Sequence, residues 1–180
     1  MNMKKILAFV LSLVLVAGLS IAGTVAYLTS VTGEVKNTFT VGDIEITLTE
    51  TTGSTYHIVP GKNISKNPTV GVGENSEPCW LFVTVTEENW PTVKNADGSL
   101  KVSYAIDSAW TKLEDGVYYM KVASSAAAQS FAVLANNTVV VSDELMKDEI
   151  TAQPTLAFKA YAIQQEGFAN AADAWAEVGE

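Results

Sequence analysis

The chain carries one histidine, His57 in STYHIVPG, and one cysteine, Cys79 in PCWLF. Catalytic zinc takes three protein ligands and keeps a fourth position open, and the His-Glu-x-x-His helix supplies two of those ligands from one face. A single imidazole falls short of that set, so a zinc peptidase is not expected. His57 reads instead as an exposed or edge-strand residue beside the Pro60-Gly61 turn. A Cys79/His57 dyad would need an activated thiol. Cys79 stands at the head of an apolar strand, where a thiol is usually buried and inert. With one cysteine an internal disulfide is impossible, and cross-linking between subunits through Cys79 would require its exposure.

Carboxylates occur in adjacent pairs, Glu87-Glu88, Asp143-Glu144 and Asp148-Glu149. Glycoside hydrolysis needs two carboxyls facing each other across a sugar, which neighbours in sequence do not imply, so these read as solvated loop and helix faces. In NADGS, Asn95 and Asp97 offer oxygens to calcium, but no alternating run of ligands ends in a glutamate, and a β-turn is the expected structure. GVGEN lacks the following helix and lysine of a phosphate loop. Trp80, Trp90, Trp110, Tyr118, Tyr119 and Trp175 would suit either a carbohydrate platform or core packing, the commoner fate of tryptophan. No catalytic residue, metal or cofactor is assigned, and the chain is not expected to be an enzyme.

Alternating apolar and polar residues dominate the sequence, the pattern of half-buried strands. In DIEITLTE, Ile44, Ile46 and Leu48 alternate with Glu45, Thr47 and Thr49. CWLFVTVTEE reads as a central strand, with Leu81, Val83 and Val85 on one face and Trp80, Phe82 and Thr84 on the other. LKVSYAI, GVYYMKVA, NTVVVS and PTLAFKAYAIQ are further strands, and NADGS, LEDG and ANN are turns. In GVYYMKV each face of the strand carries one tyrosine. Residues 59–79, rich in proline and glycine, read as a long loop with a short extended piece at Thr69 to Val72. Helix is expected in two short pieces: SDELMKDEI behind an N-cap at Ser142, and ANAADAWAEVG with Ala172, Trp175 and Ala176 on one face. The fold class is therefore all-β, a sandwich or jelly roll with short helical insertions.

At the N-terminus, Lys4 and Lys5 precede an uncharged run and then small residues, the layout of a secretory signal helix. Cleavage after Ala26 would leave Tyr27 as the new N-terminus; Ala22 is a second possible site. A retained anchor is the rival reading, because Ile6 to Leu28 is 23 residues without a charge. The sequence thus divides into a signal peptide, 1–26, a connector strand, 27–36, and a sandwich domain, 37–180. Membrane contact is expected only through an uncleaved signal. Removing residues 1–26 leaves 9 Lys against 20 Asp and Glu, a net charge of −11. The absence of arginine and the acidic balance exclude nucleic acid, which requires a basic surface. About 150 residues suffice for one apolar core without covalent staples.

GTVAYLTS, NTFTVGDIEITLTE, VPGKNISKNPTV, DGVYYMKV, KAYAIQQEGF and AADAWAEV together resemble the TasA/camelysin group of secreted matrix proteins, which a dedicated signal peptidase of the endoplasmic-reticulum type processes. The resemblance runs from Gly23 to Val178, and its most specific part is the cleavage region with the strand after it. It implies a jelly-roll subunit, exported to the extracellular matrix or cell surface of a Gram-positive biofilm. Such subunits polymerise into homopolymeric fibres, with other matrix components as further partners. It also implies that the mature N-terminal stretch leaves its own domain to add a strand to the next subunit. Some members of the group have been labelled metalloproteases, a role that the single histidine disfavours. The residues suit donation: Tyr27, Thr29, Val31, Gly33 and Val35 make a mostly apolar face, with Tyr27, Val31 and Val35 as anchors, and Leu28, Ser30, Thr32, Glu34 and Lys36 the other face. A frayed terminus or an edge strand of its own sheet remains open for the same stretch, as does a monomeric adhesin or carbohydrate-binding module for the whole.

Overall fold

The structure, a computed structural model, describes residues 43–178. Ten strands occur among these residues: β1 Ile46–Thr49, β2 Ile64–Ser65, β3 Thr69–Val72, β4 Cys79–Glu88, β5 Val102–Ile106, β6 Thr111–Glu114, β7 Val117–Val122, β8 Gln129–Ala132, β9 Leu134–Val141 and β10 Thr155–Gln164. One helix, α1, spans Ala171–Val178. All pairings are antiparallel, in the orders β10-β4-β7-β6, β1-β3-β8 and β2-β9-β5. The expected all-β class holds.

The first sheet is organised by β4, which is covered on both faces. Cys79, Leu81 and Val83 pack inward against Val70 and Val72 of β3. Trp80 and Phe82 point to the opposite side, where α1 closes over them with Ala171 and Ala174. A strand buried twice needs an apolar run rather than alternation, and CWLFV supplies it. β7 divides its tyrosines as expected: Tyr118 joins the inner core and Tyr119 the cluster under α1.

α1 begins at Asn170, whose Oδ1 accepts the Asp173 N–H at 3.0 Å. Its buried stripe is Ala171, Ala174, Trp175 and Val178, the i, i+3, i+4, i+7 pattern. Ala172 and Ala176 are exposed, which corrects the expected face by one position. The expected helix at 142–150 is reduced to a single 3-10 turn, Lys147–Glu149. Buried Lys101 is the cause. Its Nζ donates to the Glu144 carbonyl at 2.9 Å, removing an acceptor that a helix would use, and to both Glu149 carboxylate oxygens at 2.9 and 3.0 Å.

The Lys101 bonds, followed by the Met146 N–H, hold the Glu149 carboxyl below the usual glutamate range. A lowered folded pKa stabilises at neutral pH, and the contribution is lost as pH falls from 4.5 through that lower value. Glu149→Gln should therefore lower the urea midpoint at pH 7, and the difference between the two proteins should shrink as pH falls below 4.5 and Glu149 takes up its proton.

The other layer is one bent ribbon. Only Lys66–Pro68 separates β2 from β3, and only Val133 separates β8 from β9. Between the pairs Ser65↔Thr138 and Thr69↔Ala132, three residues on one run face five on the other. Asn136 and Asn137 take up the surplus at φ 56° and 51°, a left-handed conformation that asparagine tolerates. The Lys66 N–H donates to the Asn137 carbonyl at 2.8 Å and the Val133 N–H to that of Pro68 at 2.9 Å, so the corner stays hydrogen-bonded. The expected ANN turn is thus a kink within β9.

Residues 59–79 carry β3 at the expected extended piece, Thr69 to Val72, with Val70 fully buried and Val72 nearly so, and supply in addition the short β2, which was not expected. Gly71 carries a structural reason for its presence: a Cβ there would lie 2.5 Å from Thr47 Oγ1 on β1. Close approach of a neighbouring strand, rather than a turn, requires the glycine.

Candidate functional site

The residues with catalytic potential do not converge. Cys79 is fully buried among Val70, Val72 and Leu81, whereas His57 is exposed, so no thiol–imidazole pair forms. Burial pushes the Cys79 thiol from 9.0 to about 11, which cuts its thiolate fraction at pH 8 about 100-fold. A chromogenic disulfide reagent should accordingly react with the folded protein at least about 100-fold more slowly than with the urea-unfolded chain. Fast reaction of the native protein would contradict this placement and reopen subunit cross-linking.

Among the described residues no cluster of three or more His, Cys, Asp and Glu is arranged to hold a metal ion. In NADGS the Asp97 carboxylate is taken by its own turn, accepting the Ser99 hydroxyl at 2.6 Å and the Ser99 N–H at 2.9 Å, bonds that lower its pKa. Gly98 N–H donates to the Asn95 carbonyl at 3.0 Å, closing the expected β-turn. Glu87 accepts the Tyr104 hydroxyl at 2.6 Å, and Glu149 is held by Lys101. Of the aromatics, Trp80 and Trp110 are buried, and Tyr119 and Trp175 lie in the cluster beneath α1.

The feature that stands out is a seam where the edges of the two layers meet. β10 pairs with β4 along all ten of its residues. Its outer edge pairs with no strand among the described residues. β1, the edge of the opposite layer, lies beside it without a ladder. A groove of about 300 Å³ runs between them, lined by Leu48, Pro68, Leu156 and Phe158 with Lys66 and Glu50 at one side. Leu48 remains 38% exposed. Long flat edges are usually blunted by charge, proline or a bulge. β10 carries one charged residue, Lys159, and pairs with β4 without a register shift.

Lys66 fixes one flank of the groove. Its Nζ donates to both Glu50 oxygens at 3.0 Å and lies 5.1 and 5.4 Å from the ring centroids of Tyr56 and Phe158. Asn67 Oδ1 accepts the Thr51 and Thr52 N–H groups at 3.0 and 3.1 Å, pinning the segment after β1. Leu48 and Phe158 were legible as strand residues, but nothing in their spacing signalled a groove. Lys66 gave no signal at all, because burial of a lysine is a tertiary property.

The sites assigned from sequence, cleavage at Ala26-Tyr27 and the donor residues Tyr27, Thr29, Val31 and Val35, lie outside the described residues, as do the signal helix and the connector. Comparison with known families, curated proteins and solved structures finds no match for this chain.

Proposed function

We propose that this chain is a secreted structural subunit of extracellular matrix fibres, polymerising by donation of its mature N-terminal strand, Tyr27–Lys36, to the next copy. The observation that carries the reading is the open seam. The ten-residue outer edge of β10, unpaired among the described residues, borders at Leu156–Phe158 a groove of mixed apolar and polar lining, and the connector read from sequence is also ten residues long. Strand addition supplies backbone hydrogen bonds to such an edge, while alternate side chains, here Tyr27, Val31 and Val35, fill the groove. Signal peptidase would act first, at Ala26-Tyr27, releasing the protein and freeing the connector in one cut.

A jelly-roll arrangement fits the same reading. With β2-β3 and β8-β9 each counted as one bent strand, eight strands result. The second then pairs with the seventh and the third with the sixth, as in the folded-back ribbon of a jelly roll, and the first, β1, flanks the eighth, β10. The first, fourth and fifth depart from the pattern: β1 pairs with β3 rather than with β10, and β5 and β6 each lie at the edge of a different sheet.

The reading is tested by N-terminal sequencing of the secreted protein together with negative-stain microscopy of the same sample. Tyr27 at the terminus and filaments on the grid are expected. An intact leader in filaments, or a processed chain that stays monomeric at every concentration, would overturn it.

A further inference from the structure

We propose that a second cavity, adjoining the seam groove at Ser54, Lys66 and Leu156, binds one neutral sugar ring. This cavity, of about 210 Å³, is bordered by the segment at Ser54–Tyr56 and by Gln153–Thr155 at the start of β10. Its size suits a single six-membered ring.

The charge of the ligand follows from Lys66. It is the one charged side chain on the wall, only 8% exposed, and both oxygens of Glu50 already meet its charge. An ionic ligand would have to break that pair in a poorly hydrated place, so a neutral one is favoured. The floor is aliphatic, formed by Ile58, Ile64, Val102 and Val139 of the second core. Trp90 and Tyr56 add aromatic surface, and Trp90 is held by an edge-to-face contact with Tyr104, 5.4 Å between centroids at 82°.

The rim is polar and uncharged. The side chains of Ser54, Thr55 and Gln153 line it and make no hydrogen bond to another described residue. A ligand with one C–H-rich face and a ring of hydroxyls satisfies both halves, the face on Trp90 and Tyr56 and the hydroxyls on the rim. A pyranose has this form, and the closed floor selects the end or a branch of a saccharide chain over its middle.

The test is a titration of the secreted protein with methyl β-glucopyranoside, methyl β-galactopyranoside and methyl N-acetyl-β-glucosaminide, read at the Trp90 indole N–H by NMR. Saturable shifts with at least one of them are expected, with a Kd on the order of 1 mM for so small a ligand. Trp90→Ala should weaken binding at least about tenfold. Ser54→Trp, at an exposed rim position outside the core, should block the mouth while the remaining spectrum stays unchanged. The proposal is overturned if no glycoside shifts the signal at about 100 mM, two decades above the expected Kd. It is equally overturned if binding survives Ser54→Trp, or if p-cresol binds and the glycosides do not, which would make the cavity a seat for a tyrosine side chain. The titration reads the cavity whether or not filaments form, so its failure leaves the fibre reading standing.

Discussion

Deletion of Tyr27–Lys36 from the secreted protein should abolish filaments entirely while leaving a folded monomer. The expected readouts are an empty grid by negative stain, a single monomer peak by size exclusion, and an unchanged β-type circular dichroism spectrum. The body survives because the apolar clusters among the described residues are assembled from Ile44 onward. Assembly should fail because the edge of β10, unpaired among the described residues, and the groove beside Leu48 and Phe158 lose the segment proposed to complete them. A synthetic peptide of the deleted residues should bind the truncated protein, and Val31→Asp with Val35→Asp in that peptide should abolish the binding by placing charges against Leu48, Leu156 and Phe158. Filaments formed by the truncated protein would falsify strand donation outright.

The second large effect concerns the body itself. Phe82→Ala should destabilise it by about 3–5 kcal/mol, a large part of the stability of a domain this size. Phe82 is fully buried at the centre of the α1 face, with ring centroids 5.2 Å from Trp175 and 6.4 Å from Tyr119. Its neighbours are held from several elements: Tyr119 is fixed on β7, and Trp175 donates from Nε1 to Glu114 on β6 at 2.9 Å. They are poorly placed to collapse into the space. A urea midpoint within a few tenths molar of the parent would show that α1 does not cover this face as described.

What the sequence disclosed depended on how local each feature is. β4 was readable to both ends, because an apolar run interrupted first by Thr84 has few other meanings. β10 and β7 were readable for the same reason. β3 was legible at Thr69 to Val72 even inside a glycine- and proline-rich stretch, but the reason for Gly71 was not, since it is there for Thr47, a partner distant in sequence. β6, TKLE, and β8, QSFA, were not anticipated, as four residues carry too little pattern to stand out from loop. The helix at 142–150 failed because Lys101, distant in sequence and just ahead of β5, took its hydrogen-bonding groups. The seam was invisible for a related reason: an open edge is defined by which strands are absent beside it.

The length of β10 has a mechanical consequence. In the proposed fibre, a strand donated along all ten residues and pulled along its own axis would load every bond of the ladder together, so that none peels first. Such a joint resists pulling with little give and then parts abruptly. A chain of these subunits should behave as a stiff cable, whose weakest link is the junction under shear and whose sandwich bodies remain intact after the break.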